Sequence, residues 1–266
     1  MIKLGECTYL DAARLARDPR SVVLLPLGAV EEHGPHLPLL VDWLGAEELA
    51  RRIAPHLRRA GFTPVLAPSL PYGVSTLAEE WSGTVSLSRP LVAGLIEGVV
   101  RALARHGFRR FVLVNYQADP DHLRAMAQAR RRLVRGSRRL RVAFAGFAPD
   151  PAATAAMVNP RVLRFLRSPR PDAEWHSGEL ETALVLATRP ELVRRSLMRR
   201  LPPAWVDFRA RLVKGARRFR EIDAGTRGYF GWPAAARSET ALKVMRLRSR
   251  LIAAEVVRAL RPRRSR

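Results

Sequence analysis

Ser21-Val22-Val23-Leu24-Leu25-Pro26-Leu27-Gly28 is an apolar run, and Glu31-Glu32-His33-Gly34-Pro35-His36-Leu37-Pro38-Leu39-Leu40-Val41-Asp42 follows it almost at once. The run has the length and composition of a buried strand. The polar stretch after it sets two histidines and three carboxylates where a strand leaves a sheet, and open α/β sheets bind ligands outside the carboxyl ends of their strands. Imidazole nitrogens alternating with carboxylate oxygens suit a borderline divalent ion such as zinc, or manganese where oxygen dominates. Alternate residues of an extended segment point the same way, so Glu31 and His33 are expected to share a direction while Glu32 faces away. Pro35 and Pro38 restrict the excursion to extended or turn geometry. The ordinary alternative is a polar loop whose histidines are only hydrogen-bonded.

Outward from this point, apolar runs alternate with helical patterns. The spacing predicts a helix over 43–59, a strand over 63–70, a shorter strand over 82–87, and a helix over 89–106. The clearest strand is Phe111 to Asn115, followed by a helix over 121–134, a strand over 140–147, and helices over 178–188 and 238–260. Strands alternating with helices argue an α/β fold: a single three-layer domain with a mostly parallel sheet flanked by helices. Residues 1–266 are expected to form that one domain, with a basic C-terminal tail from about 261. The long segments Ala148 to Trp175 and Arg189 to Gly231 read as loops or subunit contacts.

With 266 residues, 47% of them hydrophobic, the chain can bury a substantial core. No run is long and apolar enough for a transmembrane helix. The start does not read as a signal peptide. Cys7 is alone, which excludes an intramolecular disulfide and fits a reducing compartment, so the expected location is the cytoplasm. The formal charge of +23 comes almost wholly from arginine dispersed over predicted helices. That field attracts anionic small molecules and binds polyanions non-specifically at low salt. No recognition module or aromatic-interleaved basic stripe accompanies it, so neither a specific nucleic-acid function nor a membrane partner is expected.

Four polar clusters fall at strand ends or helix starts, and together they resemble the creatininase (creatinine amidohydrolase) family of metal-dependent hydrolases. Pro26 to Asp42 is close to that family's P-x-G-S-x-E-Q-H-G-P-H-L-P-L-x-x-D signature. Gly73-Val74-Ser75 with Trp81-Ser82-Gly83-Thr84-Val85-Ser86-Leu87 is similar to its G-x-S-x-E-H-x-x-F-P-G-T-I-S-L segment. His176-Ser177-Gly178-Glu179-Leu180-Glu181-Thr182 is similar to H-A-G-x-x-E-T, and Gly231-Trp232-Pro233 with Ala236 echoes G-D-P-x-x-A-T. The resemblance runs from roughly residue 20 to 245. It implies hydrolysis of a C–N bond (an amide, cyclic amide or formamide) in a small molecule, a homo-oligomer that is commonly a hexamer, and a two-metal centre. Carried over, Asp42 bridges two divalent ions, Zn or Mn, with Glu31 on one and His33 on the other. His176 becomes the proton shuttle, helped by Glu181, and Ser75, Trp175 and Ala118 line the substrate pocket.

The chain departs from the family where an N-G-H-x-x-N segment supplies the remaining ligands. It reads Asn115-Tyr116-Gln117-Ala118-Asp119-Pro120. Gln117 stands in place of the ligand histidine, and an amide oxygen is a far weaker zinc ligand than imidazole. Asp119 stands at the carboxylate position, one methylene shorter. The E-H pair of the second segment is Leu77-Ala78. The expectation is one tight site of His33, Asp42 and Asp119, and one weak site of Glu31, Asp42 and Gln117. The alternative is a catalytically impaired member acting as a binding or structural subunit. Elsewhere, His36 is expected to support its loop, Asp121 to cap a helix, and Trp43 and Trp81 to be core or pocket wall. His56, His106 and His122 are expected at the surface, and Glu47 and Glu48 to be solvated.

Overall fold

The computed structural model describes residues 1–261, positions 136 and 138 excepted. Of the expected basic tail, only Arg261 falls within the described residues. The elements are β1 (Ile2–Lys3), α1 (Tyr9–Arg17), β2 (Ser21–Leu27), α2 (Val41–Arg59), β3 (Thr63–Leu66), α3 (Arg89–Arg105), β4 (Arg110–Asn115) and α4 (Pro120–Arg135). They continue with β5 (Arg141–Gly146), α5 (Pro151–Met157), α6 (Glu179–Thr188), α7 (Arg195–Met198), α8 (Phe208–Val213), α9 (Phe219–Ile222) and α10 (Ser238–Leu260). The five strands form one parallel sheet in the order β1-β3-β2-β4-β5.

The sheet is buried on both faces because its central strands are apolar over Val22 to Leu27 and Phe111 to Val114, and the period-two alternation sorts them between two cores. Val23, Leu25, Phe111, Leu113 and Phe144 turn toward α3 and α4. Val22, Leu24, Val112, Val114 and Ala145 turn toward α2 and α10. This is the three-layer α/β arrangement expected from the sequence.

The run over 82–87 is no strand. Ser86 makes a single bridge to Gly73, and Ser82 and Gly83 form a turn with Gly83 at φ +88°. Conversely, α1 has no counterpart in the apolar spacing. It is nucleated by a capping box in which the Thr8 side chain and the Asp11 backbone and carboxylate satisfy one another. The long late segments are also more than loops. Phe208, Phe219, Ile222 and Phe230 from these segments bury one another with Ala78 and form an aromatic wall beside the carboxyl end of the sheet.

Tyr116, where the related pattern has glycine, is accommodated by a glycine elsewhere. A Cβ on Gly45 of α2 would overlap the Tyr116 ring, so the helix passes over the ring only because that position carries no side chain. The Tyr116 hydroxyl meets Arg248 Nη1 of α10 at 3.2 Å. Gly45→Ala is expected to cost about 1–3 kcal/mol through overpacking, read as a lower urea midpoint at unchanged slope.

Candidate metal centre and active site

Every strand points its carboxyl end to the same edge, so the segments leaving β2 and β4 converge there. Glu31, His33 and Asp42 come from the segment after β2, with Asp42 in the first turn of α2, and all three are buried. Glu181 joins them from the first turn of α6. His33 Nε2 lies 3.9 Å from Asp42 Oδ2 and 3.8 Å from Glu181 Oε2. His33 Nδ1 is 3.1 Å from the Glu31 carbonyl oxygen and donates to it, which fixes the tautomer and leaves Nε2 a lone pair. Burial and the neighbouring His176 hold the His33 imidazole well below its usual pKa, in the neutral form.

Two atoms of this cluster, His33 Nε2 and Asp42 Oδ2, are buried without a hydrogen-bond partner. Buried polar atoms are otherwise nearly always satisfied, and an orphan costs about 1–3 kcal/mol. Three carboxyl groups share the space: burial raises the pKa of Asp42, and Glu31 and Glu181 raise it further. Burial likewise raises Glu181, and pushes Glu31 up to about 7. Convergent acids that cannot all ionise beside an aimed lone pair form a chemistry suited to a divalent cation. The donor atoms of His33, Asp42 and Glu181 lie within 4.8 Å of one another, as do those of Glu31, His33 and His176.

Gln117 sits against Glu31 with its amide turned the other way from a ligand. Its Oε1 accepts the Asp119 N–H at 3.1 Å, so its NH2 faces inward and donates to Glu31 Oε2. The same NH2 is 3.3 Å from Ser75 Oγ. Asn115 locks this turn, donating to the Gln117 and Phe147 carbonyls and accepting the Gln117 N–H. Asp119 is buried but otherwise engaged: its carboxylate accepts from the N–H groups of Asp121, His122 and Leu77. It therefore caps α4, the role expected of Asp121.

His176 is brought beside His33, the ring centroids 4.5 Å apart. The acid in contact with it is Glu32: His176 Nε2 lies 3.0 Å from the Glu32 carbonyl oxygen and 3.3 Å from its Oε1. Burial disfavours the imidazolium, but Glu32, Glu181 and Glu31 outweigh it and raise the pKa to about 10. The expectation that Glu32 faces away fails, because the chain turns at residues 34–36, with Gly34 at φ +68°, and the turn holds the Glu32 carboxylate beside His176. Glu32 Oε2 accepts the Gly34 N–H at 2.8 Å, and the Glu32 backbone N–H is held by Thr84 Oγ1 at 3.0 Å. Gly228, at φ +77°, packs on that carboxylate, where any Cβ would overlap it. The Glu31-Glu32 doublet was the only sequence signal for this contact.

Ser75 is fully buried next to Gln117, whereas Ala118 is exposed. Trp175 is 44% exposed and stacks on Phe208 at 5.6 Å. A cavity of about 490 Å³ lined by Glu79, Glu80, Thr84, Ser86 and Arg218 opens alongside, with Arg218 paired to Glu79. His36 does support its loop, with Nε2 2.8 Å from Thr182 Oγ1. His122 is not a surface residue. It is buried, accepts the Val74 N–H, and burial lowers its pKa to about 4. Glu48 is buried as well, between Arg51 and Arg52.

A parallel sheet carrying an acid-and-histidine cluster at its carboxyl edge is a frame that could hold a metal ion, and comparison with known proteins supplies the class. The creatinine amidohydrolase (Creatininase) family model matches residues 5–256. The creatinine amidohydrolase of Pseudomonas putida is 30% identical over 212 residues, 76% of this chain and 77% of that protein. The mycofactocin precursor peptide peptidase of Mycobacterium ulcerans is 28% identical over 204 residues, 71% of this chain and 67% of that one. A manganese creatininase superposes with a TM-score of 0.74 at 25% identity, covering 98% of this chain and 99% of the other. A mutant creatininase of Zn-Zn type gives 0.75 at 26% identity over 98% of both. The chain belongs to the creatininase family.

Proposed function

We propose that this protein hydrolyses a carbon–nitrogen bond (an amide, cyclic amide or formamide) in a small molecule, using one tightly held divalent cation, zinc or manganese. The observation that carries this reading is the convergence of His33 Nε2, Asp42 Oδ2 and Glu181 Oε2, two of them buried and unsatisfied. When bound, such a cation polarises the scissile carbonyl and acidifies water. The remaining work falls to the chain. His176, kept protonated by Glu32, delivers a proton from its imidazolium to the departing nitrogen. The aromatic wall of Phe208, Phe219 and Phe230 limits water around that proton.

Glu79, Glu80 and Arg218, which line the neighbouring cavity, favour a polar substrate over a purely anionic one. The two named relatives act on different molecules, so the substrate class is tested directly. Protein loaded with zinc or manganese is assayed on lactams, formamides and short peptides. Turnover on one class, lost in His176→Gln at unchanged metal content, is expected. Full metal occupancy with no turnover on any class would instead support the binding-subunit reading.

Asp119 separates ligand from cap. Asp119→Ala is expected to cost about 1–2 kcal/mol of stability through the lost cap while metal content stays at its original stoichiometry. Loss of the cation in a folded Asp119→Ala protein would return Asp119 to the ligand set.

A further inference from the structure

The opposite edge of the sheet, where the strands begin, holds a second feature. A cavity of about 420 Å³ opens between the end of α1 and the first residues of β2, β4 and β5. Arg17, Arg109, Arg110, Arg139 and Arg141 line it with Ser21. Arg110 and Arg141 are register partners on adjacent parallel strands, so two guanidinium groups start side by side on one face of the sheet. Like charges so placed repel unless an anion lies between them. Among the described residues, none of these five arginines pairs with a carboxylate. Their recorded contacts are to main-chain carbonyls: Arg109 to Ala104 and Phe108, Arg110 to Pro19, Arg141 to Arg261. The one acid in the lining, Asp18, is already held by Arg20 and Thr63.

Two unsatisfied donors mark the cavity as more than a chance gathering of arginine in an arginine-rich chain. Ser21, one of the lining residues, is 4% exposed, and its Oγ is buried behind the cavity wall without a partner. Arg110 Nε is likewise buried without one. A hydroxyl and a guanidinium N–H left open beside four further positive charges are the groups that bind phosphate oxygens. We infer that this cavity is a binding site for a compact, multiply charged phosphate ligand of about pyrophosphate size, distinct from the hydrolytic centre. The seven residues of β2 separate the two, about 20 Å at a strand's rise.

Isothermal titration of the full-length protein with inorganic pyrophosphate, at about 150 mM salt where exposed charges are screened, tests this. Saturable binding at one ligand per chain is expected. Ser21→Ala, which removes only the open hydroxyl, is expected to weaken binding about tenfold, the worth of one hydrogen bond to a charged group. Arg110→Gln with Arg141→Gln is expected to abolish it, and the charge-matched control Arg195→Gln with Arg199→Gln, at the exposed start of α7 and just past its end, to leave it intact. No saturable binding by the unaltered protein, or equal weakening by the control pair, would overturn the site in favour of diffuse attraction. Tighter binding of a single-stranded oligonucleotide than of pyrophosphate, with a salt slope spanning many phosphates, would overturn the compact ligand.

Discussion

His33→Ala is expected to empty the centre of its cation and to reduce hydrolysis to that of the metal-free protein. Among the described residues, His33 supplies the one imidazole lone pair aimed at the two acids Asp42 and Glu181. Outer partners of a metal site alone are worth about 10- to 100-fold in affinity, and a direct ligand is worth more, so a loss above about 100-fold is expected. The protein should stay folded, because the residue lies outside both cores that sandwich the sheet. Metal analysis after dialysis, alongside a circular-dichroism melt, reads both quantities. A folded variant that keeps its cation would remove His33 from the centre and take the proposed chemistry with it.

The second large effect is a gain. Gln117→His is expected to raise the bound cation from one equivalent to two. As the chain stands, the Gln117 NH2 donates into the Glu31 carboxylate and meets its negative charge with a neutral donor, in the space where a cation would otherwise sit. The amide cannot simply flip, because its oxygen is held by the Asp119 N–H and the turn is locked by Asn115. An imidazole there replaces a donor with a ligand and frees Glu31. Gln117→Ala separates the two effects: it removes the donor without adding a ligand, and only weak second binding is expected. Calorimetric titration with zinc or manganese counts the sites. A Gln117→His protein that still takes one equivalent would mean that something other than this amide bars the second ion.

The sheet was legible because its central strands are uninterrupted apolar runs, and a run such as Phe111 to Asn115 has no competing helical phase. Helix α1 was not, since its signal is a Thr8–Asp11 capping box on a segment that buries only Ala16. His122 and Glu48 looked solvated because helical position alone says nothing of what covers a face. In the site, the signature segment pointed directly to Glu31, His33 and Asp42, which share one short stretch of chain. The nearness of Glu181 to His33, and of Glu32 to His176, depends on how α6 and the late aromatic segments dock. No local pattern encodes that. Nor could sequence decide which way the Gln117 amide points, since only the backbone N–H of Asp119 fixes it.

All five strands run the same way, in an order that makes neighbours of segments far apart in the chain. None of the four strand pairings of this sheet can close through a hairpin, so each begins with a costly long-loop closure, a property that slows folding. The acids and the imidazole that would clasp a cation lie far apart in the chain, Glu31 to Asp42 near its start and Glu181 in α6. The full donor set is therefore complete only once α6 has docked beside the segment that follows β2.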